Sequence, residues 1–414
     1  YKVDGFRFDL MGHHMKADML EVRAALDALT PERDGVDGRA VFVYGEGWDF
    51  GEVQGGARGE NATQRRMAGT GIATFNDRLR DAARGGSAFG PLQEQGFVTG
   101  LWDAPNAAAA GTPEEQRARL LLLADRIRVG LAGGLADFTF TGHDGRAVRG
   151  AEVDYNGSPA GYTAAPRESV NYVEAHDNET LWDAIALKAP VSLPVAERVR
   201  MQNLGMSLVA LGQGVPFFHA GMELLRSKSL DRNSYDSGDW FNRLDFTYEQ
   251  NNWAVGLPPW GDNRANWPLH AALLANPLLE PGPADIRRAF AHLQELLRIR
   301  RSTALFRLTH ADAVARHLVF PNTGPSQEPG LIVMALRDPD GRVDRDHRVV
   351  VVLFNARGAA LEWSSPDLAG LSLRLHPVQE ASDDARLREA TYDAGRGLFR
   401  VPGRTTAVFW SRTD

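Results

Sequence analysis

The stretch VDGFRFDL, residues 3–10, decides the fold. Val3, Phe6, Phe8 and Leu10 give it the texture of a buried strand, yet it also carries Arg7 and Asp9. Side chains alternate along a strand, so Arg7 and Asp9 share one face while Phe6, Phe8 and Leu10 share the other. A carboxylate beside a guanidinium at a strand end has two readings. It is a structural ion pair, or it is a carboxylate kept ionised near neutral pH, as a nucleophile must be.

Outward from this stretch, strands and helices alternate. Residues 15–29 follow with Met15, Met19, Val22, Ala25, Leu26 and Leu29 at helical spacing. AVFVYGEG at 40–47 and GIATFND at 71–77 read as the next two strands. A long helical pattern covers 114–133, and SVNYVEAHDN at 169–178 reads as a fourth strand. A helix over 195–214 ends in glycine, VPFFHAG at 215–221 is a fifth strand, and a helix over 285–301 closes the series. Such alternation predicts a parallel sheet. Asp9, Glu46 and Asp177 each close or follow an apolar run, and the C-terminal ends of the strands are where a (β/α)₈ barrel builds its active site. Five units are not eight. As a barrel, this chain is expected to hold strands four to eight, the first three lying outside it. The chain also begins with Tyr1, inside a strand, as a piece of a longer protein would.

From about residue 305 the texture changes to short β-like runs: HLVF, GLIVMAL, RVVVVLFN, LSLRLHP, GLFRVP and TTAVFW, separated by Gly, Pro and Asp. This predicts an all-β sandwich of roughly 100 residues. The expected division is a partial barrel over 1–306 and a β-sandwich domain over 307–414. Between the last strand and the closing helix, 222–284 reads as a long loop rich in Asn, Asp, Trp and Pro. A loop that long points to function.

The chain has 414 residues, 43% of them hydrophobic, which suits one large domain plus a smaller one. The formal charge of -7, with no long basic run, gives no sign of a nucleic-acid partner. There is no cysteine, so disulfides and thiolate sites are excluded. No apolar run reaches the roughly 18–20 residues that span a membrane.

Three carboxylates stand at strand ends. Glu46 lies between glycines and before Trp48; it is a turn glutamate, or a general acid whose proton is retained by apolar surroundings. His176 and Asp177 form a helix N-cap, or a pair that hydrogen-bonds a polar ligand. Asn171, Glu174, Asn178 and Glu179 add polarity there. His13 and His14 are adjacent and so point apart, which suits solvent or helix-start positions better than a metal site. His219 reads as a strand-end residue rather than a ligand. Together the three carboxylates match retaining glycoside hydrolysis, in which a nucleophile and a protonated carboxyl stand about 5–5.5 Å apart.

DGFRFDLMG, VYGEGWDFG and NYVEAHDNET resemble the second, third and fourth conserved segments of the α-amylase family of glycoside hydrolases. The Trp after GEG, the EAHDN form and the run FFHAGMELLRSKSLDRNSYDSGDWFNRLDF at 217–246 resemble its pullulanase and limit-dextrinase branch. VFPNTGPSQEPGLIVMAL at 319–336 is similar to the start of that branch's C-terminal β domain. The resemblance implies Asp9 as nucleophile, Glu46 as acid/base and Asp177 as transition-state stabiliser. It implies that Arg7 holds Asp9, that His176 binds sugar hydroxyls and that Trp48 lines the branch site. Arg226, Asp231, Asn233, Tyr235 and Asp236 are its further glucan contacts. The family's first segment is not in this sequence, so the chain alone is expected to be inactive.

The activity so implied is hydrolysis of α-1,6 branch linkages in pullulan, amylopectin, glycogen or limit dextrins. No cofactor is required, a structural calcium ion is compatible with the family, and the compartment leans to secreted or surface-bound in a bacterium. Two other readings stay open: an α-1,4-acting hydrolase or glucan transferase of the same family, and a non-catalytic glucan-binding protein. A pure binder has no need of all three carboxylates.

Overall fold

The computed structural model of the protein describes residues 3–412. All five expected strands are present: β1 (Gly5–Phe8), β2 (Phe42–Gly45), β3 (Ala73–Asn76), β4 (Ser169–Asn171) and β5 (Val215–Pro216). They pair in chain order, every neighbour parallel. The strands are shorter than the apolar runs. In β4 the sheet ends at Asn171, and the rest of SVNYVEAHDN leaves it to carry polar residues upward.

Helices return the chain between strands except from β2 to β3, where only the short 3₁₀ segment Gly51–Gly56 and turns intervene. α1 (Lys16–Asp27) joins β1 to β2; α2 (Asp77–Arg84) and α3 (Pro113–Leu131) join β3 to β4; α4 (Leu181–Lys188) and α5 (Val195–Leu211) join β4 to β5. After β5 come α6 (Trp267–Leu274) and α7 (Pro283–Ser302). The start of α3 is dictated locally. Thr112 Oγ1 accepts from the Glu115 amide, the Glu115 carboxylate accepts from the Thr112 amide, and Pro113 takes the first helical position, where no amide is needed.

The parallel sheet buries both faces. On one face Tyr44, Phe75, Tyr172 and Phe217 form an aromatic cluster, with the Phe75 ring 5.1 Å from Tyr172 and 5.2 Å from Phe217. On the other, Phe8 and Val43 pack on Met11 and Met19 beneath α1. That face also carries buried Asn171, whose Nδ2 donates to the carbonyls of Gly130 (3.0 Å) and Gln213 (2.8 Å). A buried amide is tolerated because its hydrogen bonds are made, and these pin the sheet to the ends of α3 and α5.

The C-terminal region forms two antiparallel sheets. One has the order β6-β7-β8-β13-β10, from β6 (Leu318–Val319), β7 (Leu331–Arg337), β8 (His347–Asn355), β10 (Arg374–Leu375) and β13 (Thr405–Arg412). The other has the order β9-β12-β11, from β9 (Leu361–Ser364), β11 (Thr391–Asp393) and β12 (Leu398–Val401). The long strands are apolar through their central stretches because both faces are covered there. Ile332, Met334, Val350, Val352 and Val408 join the core of α3, α5 and α7. Val333, Ala335, Val351, Leu353 and Phe409 face Phe399 and Val401 of the second sheet. Ion pairs also bridge α5 to this region: Glu197 to Arg386 and Arg404, both at 2.7 Å. The segment 222–284, read as one loop, contains α6 and several short helical turns.

Candidate active site

Asp9 and Glu46 each stand one residue past a strand, on neighbouring β1 and β2, so the parallel pairing itself brings them together. Arg7 sits between them. Its Nη1 donates to Asp9 Oδ1 at 2.8 Å and its Nη2 to Glu46 Oε1 at 2.7 Å. The second Glu46 oxygen accepts from the Leu10 amide at 2.9 Å. Leu10 aims that amide by adopting a left-handed φ of 43°, a strained setting for a branched residue. The glycines around Glu46 are there for close approach. A Cβ on Gly45 would lie 2.6 Å from the Phe8 carbonyl, and one on Gly47 2.8 Å from the Gln64 amide. GEG is therefore a packing requirement at the strand end.

The two carboxylates differ in surroundings. The Asp9 side chain is 68% exposed, whereas that of Glu46 is 8% exposed. Burial pushes the Glu46 carboxyl above the usual range, against the Leu10 amide and Arg7, which pull it down. The charges of Asp9 and Asp177 push it up further. One carboxyl is thus disposed to keep a proton while its neighbour is held by a guanidinium.

His176 and Asp177 close the arrangement from the segment after β4, with His176 Nε2 3.6 Å from Asp177 Oδ1. Ligand atoms of Asp9, Glu46 and His176 all lie within 4.8 Å of one another. This set does not fit calcium, which takes six to eight oxygen ligands: Arg7 already occupies both carboxylates, and imidazole offers nitrogen.

An open cleft of ≈ 490 Å³ runs over these groups, lined among others by Arg7, Glu46, Trp48, His176, Asp177 and Asn233. Asp9 stands beside it, paired to Arg7. The other residues named from the 226–236 loop lie elsewhere. Arg226 is committed to His219 Nε2 (2.9 Å) and to the carbonyls of Ala220 and Asn242. Asp231 is buried and accepts from the Asn233 amide, Ser237 Oγ and Asn263 Nδ2. Tyr235 and Asp236 are exposed and do not line the cleft. With Nε2 accepting from Arg226, His219 donates from Nδ1 to Glu174 Oε1 at 2.9 Å. His13 lies against Phe50, edge to face, and His14 follows a short helical turn.

Sequence reasoning passed over one wall of the cleft: Asp77, Arg78, Arg80, Asp81, Tyr155 and Tyr172. The Arg78 guanidinium lies 4.9 Å from the Tyr155 ring centre and 4.7 Å from that of Tyr162. Tyr155 donates to Asp81 at 2.7 Å, and Arg80 donates to the Tyr172 hydroxyl at 2.7 Å. Burial opposes ionisation of Asp77, but Arg78 and Arg80 outweigh it and hold that carboxyl below the usual range. The available signal was FND at the end of β3, the same strand-end position that Asp9 and Glu46 occupy.

Sheet and cleft together define a half-barrel of parallel strands with an acidic, aromatic-walled site at its C-terminal ends. Comparison with known proteins narrows this. Residues 248–412 match the family "Alpha-1,6-glucosidases, pullulanase-type, C-terminal". Over 99% of its length the chain is similar to the chloroplastic Pullulanase 1 of Arabidopsis thaliana, at 50% identity, and to the pullulanase of Klebsiella pneumoniae, at 41%. It spans 43% and 36% of those two proteins. The maltotriose complex of PulA from Klebsiella pneumoniae superposes with a TM-score of 0.90 at 40% identity, covering 100% of this chain and 43% of that one. The chain is pullulanase-like throughout.

Proposed function

We propose that this chain forms the catalytic half-barrel of a retaining debranching hydrolase that cleaves α-1,6 linkages in pullulan and related α-glucans. The observation that carries the reading is the Asp9–Arg7–Glu46 triad, an exposed carboxylate and a buried one clamped by a single guanidinium. Their near oxygens lie within 4.8 Å of each other, in keeping with the short carboxyl separation of retaining enzymes. The five strands are assigned as four to eight of a (β/α)₈ barrel.

In this mechanism Asp9 attacks the anomeric carbon as Glu46 gives its proton to the departing glycosidic oxygen. The sugar is then held covalently on Asp9. Glu46, now ionised, removes a proton from water, which displaces Asp9 and restores both groups. Asp177 faces the positive charge that develops on the ring, and His176 holds its hydroxyls. Trp48 offers an apolar wall to the leaving chain. No step passes through a metal or cofactor.

Asp9→Asn, made in the protein that carries this chain, tests the reading. Hydrolysis of pullulan is expected to vanish while maltotriose still binds with nearly unchanged affinity. Binding lost in proportion to rate would mark Asp9 as a structural residue instead.

A further inference from the structure

The segment bearing His176 and Asp177 leaves the sheet after Asn171 and enters α4 at Leu181. Both side chains are 54% exposed, and Asn178 just beyond them holds a left-handed φ of 59°. Such a turn does not fix its own height above the sheet. Three ties do so. Buried Glu174 accepts from the Leu181 amide at 2.7 Å and draws the two ends of the segment together. Glu179 pairs with Arg84 at 3.1 Å. The third tie comes from a distant loop: Lys228 Nζ donates to the His176 carbonyl at 3.0 Å.

Lys228 is 0% exposed. Burying an ammonium is costly unless it is paired and hydrogen-bonded. The chain beside it is also strained, with Ser229 and Leu230 consecutively left-handed at φ 54° and 64°. Strain of that kind persists only where surroundings over-determine it. Asp183 supplies them. It lies in the first turn of α4, is itself 0% exposed, and accepts from Ser227 Oγ (2.6 Å), the Lys228 amide (2.8 Å) and the Leu230 amide (3.3 Å). The helix that starts after Asp177 therefore seats Lys228, and Lys228 in turn grips the peptide that joins His176 to Asp177.

We propose that Lys228, seated by Asp183, is a positioning residue that sets the height of Asp177 and His176 over the cleft. This rests on the debranching reading, because it gives those two residues their work. Lys228→Met keeps the length and bulk of the side chain and removes the ammonium. In the protein that carries this chain, kcat on pullulan is expected to fall about 10- to 100-fold, the scale of a misplaced catalytic group, with little change in KM. The basic limb of the kcat/KM profile is expected to move to lower pH, because the Asp177 charge is one of the groups that hold the Glu46 carboxyl up. Lys228→Gln, which retains a donor, is expected to recover part of kcat.

An unchanged kcat in Lys228→Met overturns the proposal. So does a loss explained wholly by a smaller folded fraction, with the pH limb in place. If the parent protein does not hydrolyse pullulan, the debranching reading fails separately. Amide hydrogen exchange over residues 175–179 then decides the tie: faster exchange in Lys228→Met supports it, and unaltered exchange overturns it.

Discussion

Replacing Arg7 by Met is expected to move the pH limb governed by Glu46 to higher pH. The guanidinium lies 2.7 Å from Glu46 Oε1 and 2.8 Å from Asp9 Oδ1. Unit charges about 4 Å apart interact by about 1 kcal/mol in water and about 4 kcal/mol at an effective dielectric of 20. Arg7 is 26% exposed and Glu46 8%, so solvent screening leaves an intermediate value of about 2 kcal/mol, or about 1.5 pH units. The sign follows from the role. In the proposed mechanism Glu46 acts in its protonated form, so kcat/KM declines as pH rises through its pKa. Removing a positive neighbour favours the neutral carboxyl, raises that pKa and carries the basic limb upward. The same change leaves Asp9 unheld, so the plateau is expected to fall by about 100-fold. Initial rates on pullulan across pH, for parent and variant, give both quantities. A reduced plateau with the basic limb unmoved, or moved down, would refute the reasoning.

Two further expectations concern acid catalysis and stability. Glu46→Gln should lose far more rate on pullulan than on an aryl glycoside with a good leaving group, which needs no proton; equal losses would remove Glu46 from the acid role. In the C-terminal region His376 is buried against Trp410, its ring 4.2 Å away, and accepts from the Val378 amide while meeting Ser302 Oγ at 3.1 Å. Burial, aided by His347, lowers its pKa to about 4. The unfolded chain then binds a proton that the folded one refuses, so the contribution of this group to stability is greatest above about pH 6.5 and falls by about 3 kcal/mol on the way to pH 4. Denaturant unfolding at several pH values checks this, and His376→Gln should flatten the dependence; an identical slope in the variant would refute it.

The parallel sheet was legible because each strand is a short apolar run ended by glycine or a polar residue, and because α1, α3 and α5 have a clear period. The strand-end positions of Asp9 and Glu46 were legible for the same reason: each breaks an apolar run at the place where neighbouring parallel strands end. α2 was not. Its sequence, DRLRDAAR, buries Arg78, Asp81 and Arg84, and these charges are paired with Asp77, Arg80 and Glu179 in turn, Asp81 also accepting from Tyr155. Apolar periodicity cannot see a helix whose buried face is ionic, and the cleft wall it carries was missed with it. α4 is buried on every side, LWDAIALK, and has no polar face to mark its period. In the 226–236 loop, residue type suggested contacts that folding spends internally. Asp231 holds the loop together, and Arg226 is used by His219 and two carbonyls. Lys228 carried no sequence signal, because a lysine in a polar loop reads as solvated; only its burial reveals it.

The most direct test is the product profile from pullulan, using the protein that carries this chain. Maltotriose alone is the expected product, since only α-1,6 cleavage yields it. Panose-type products, or shortening of amylose with pullulan untouched, would contradict the account and place the cleavage at α-1,4 linkages.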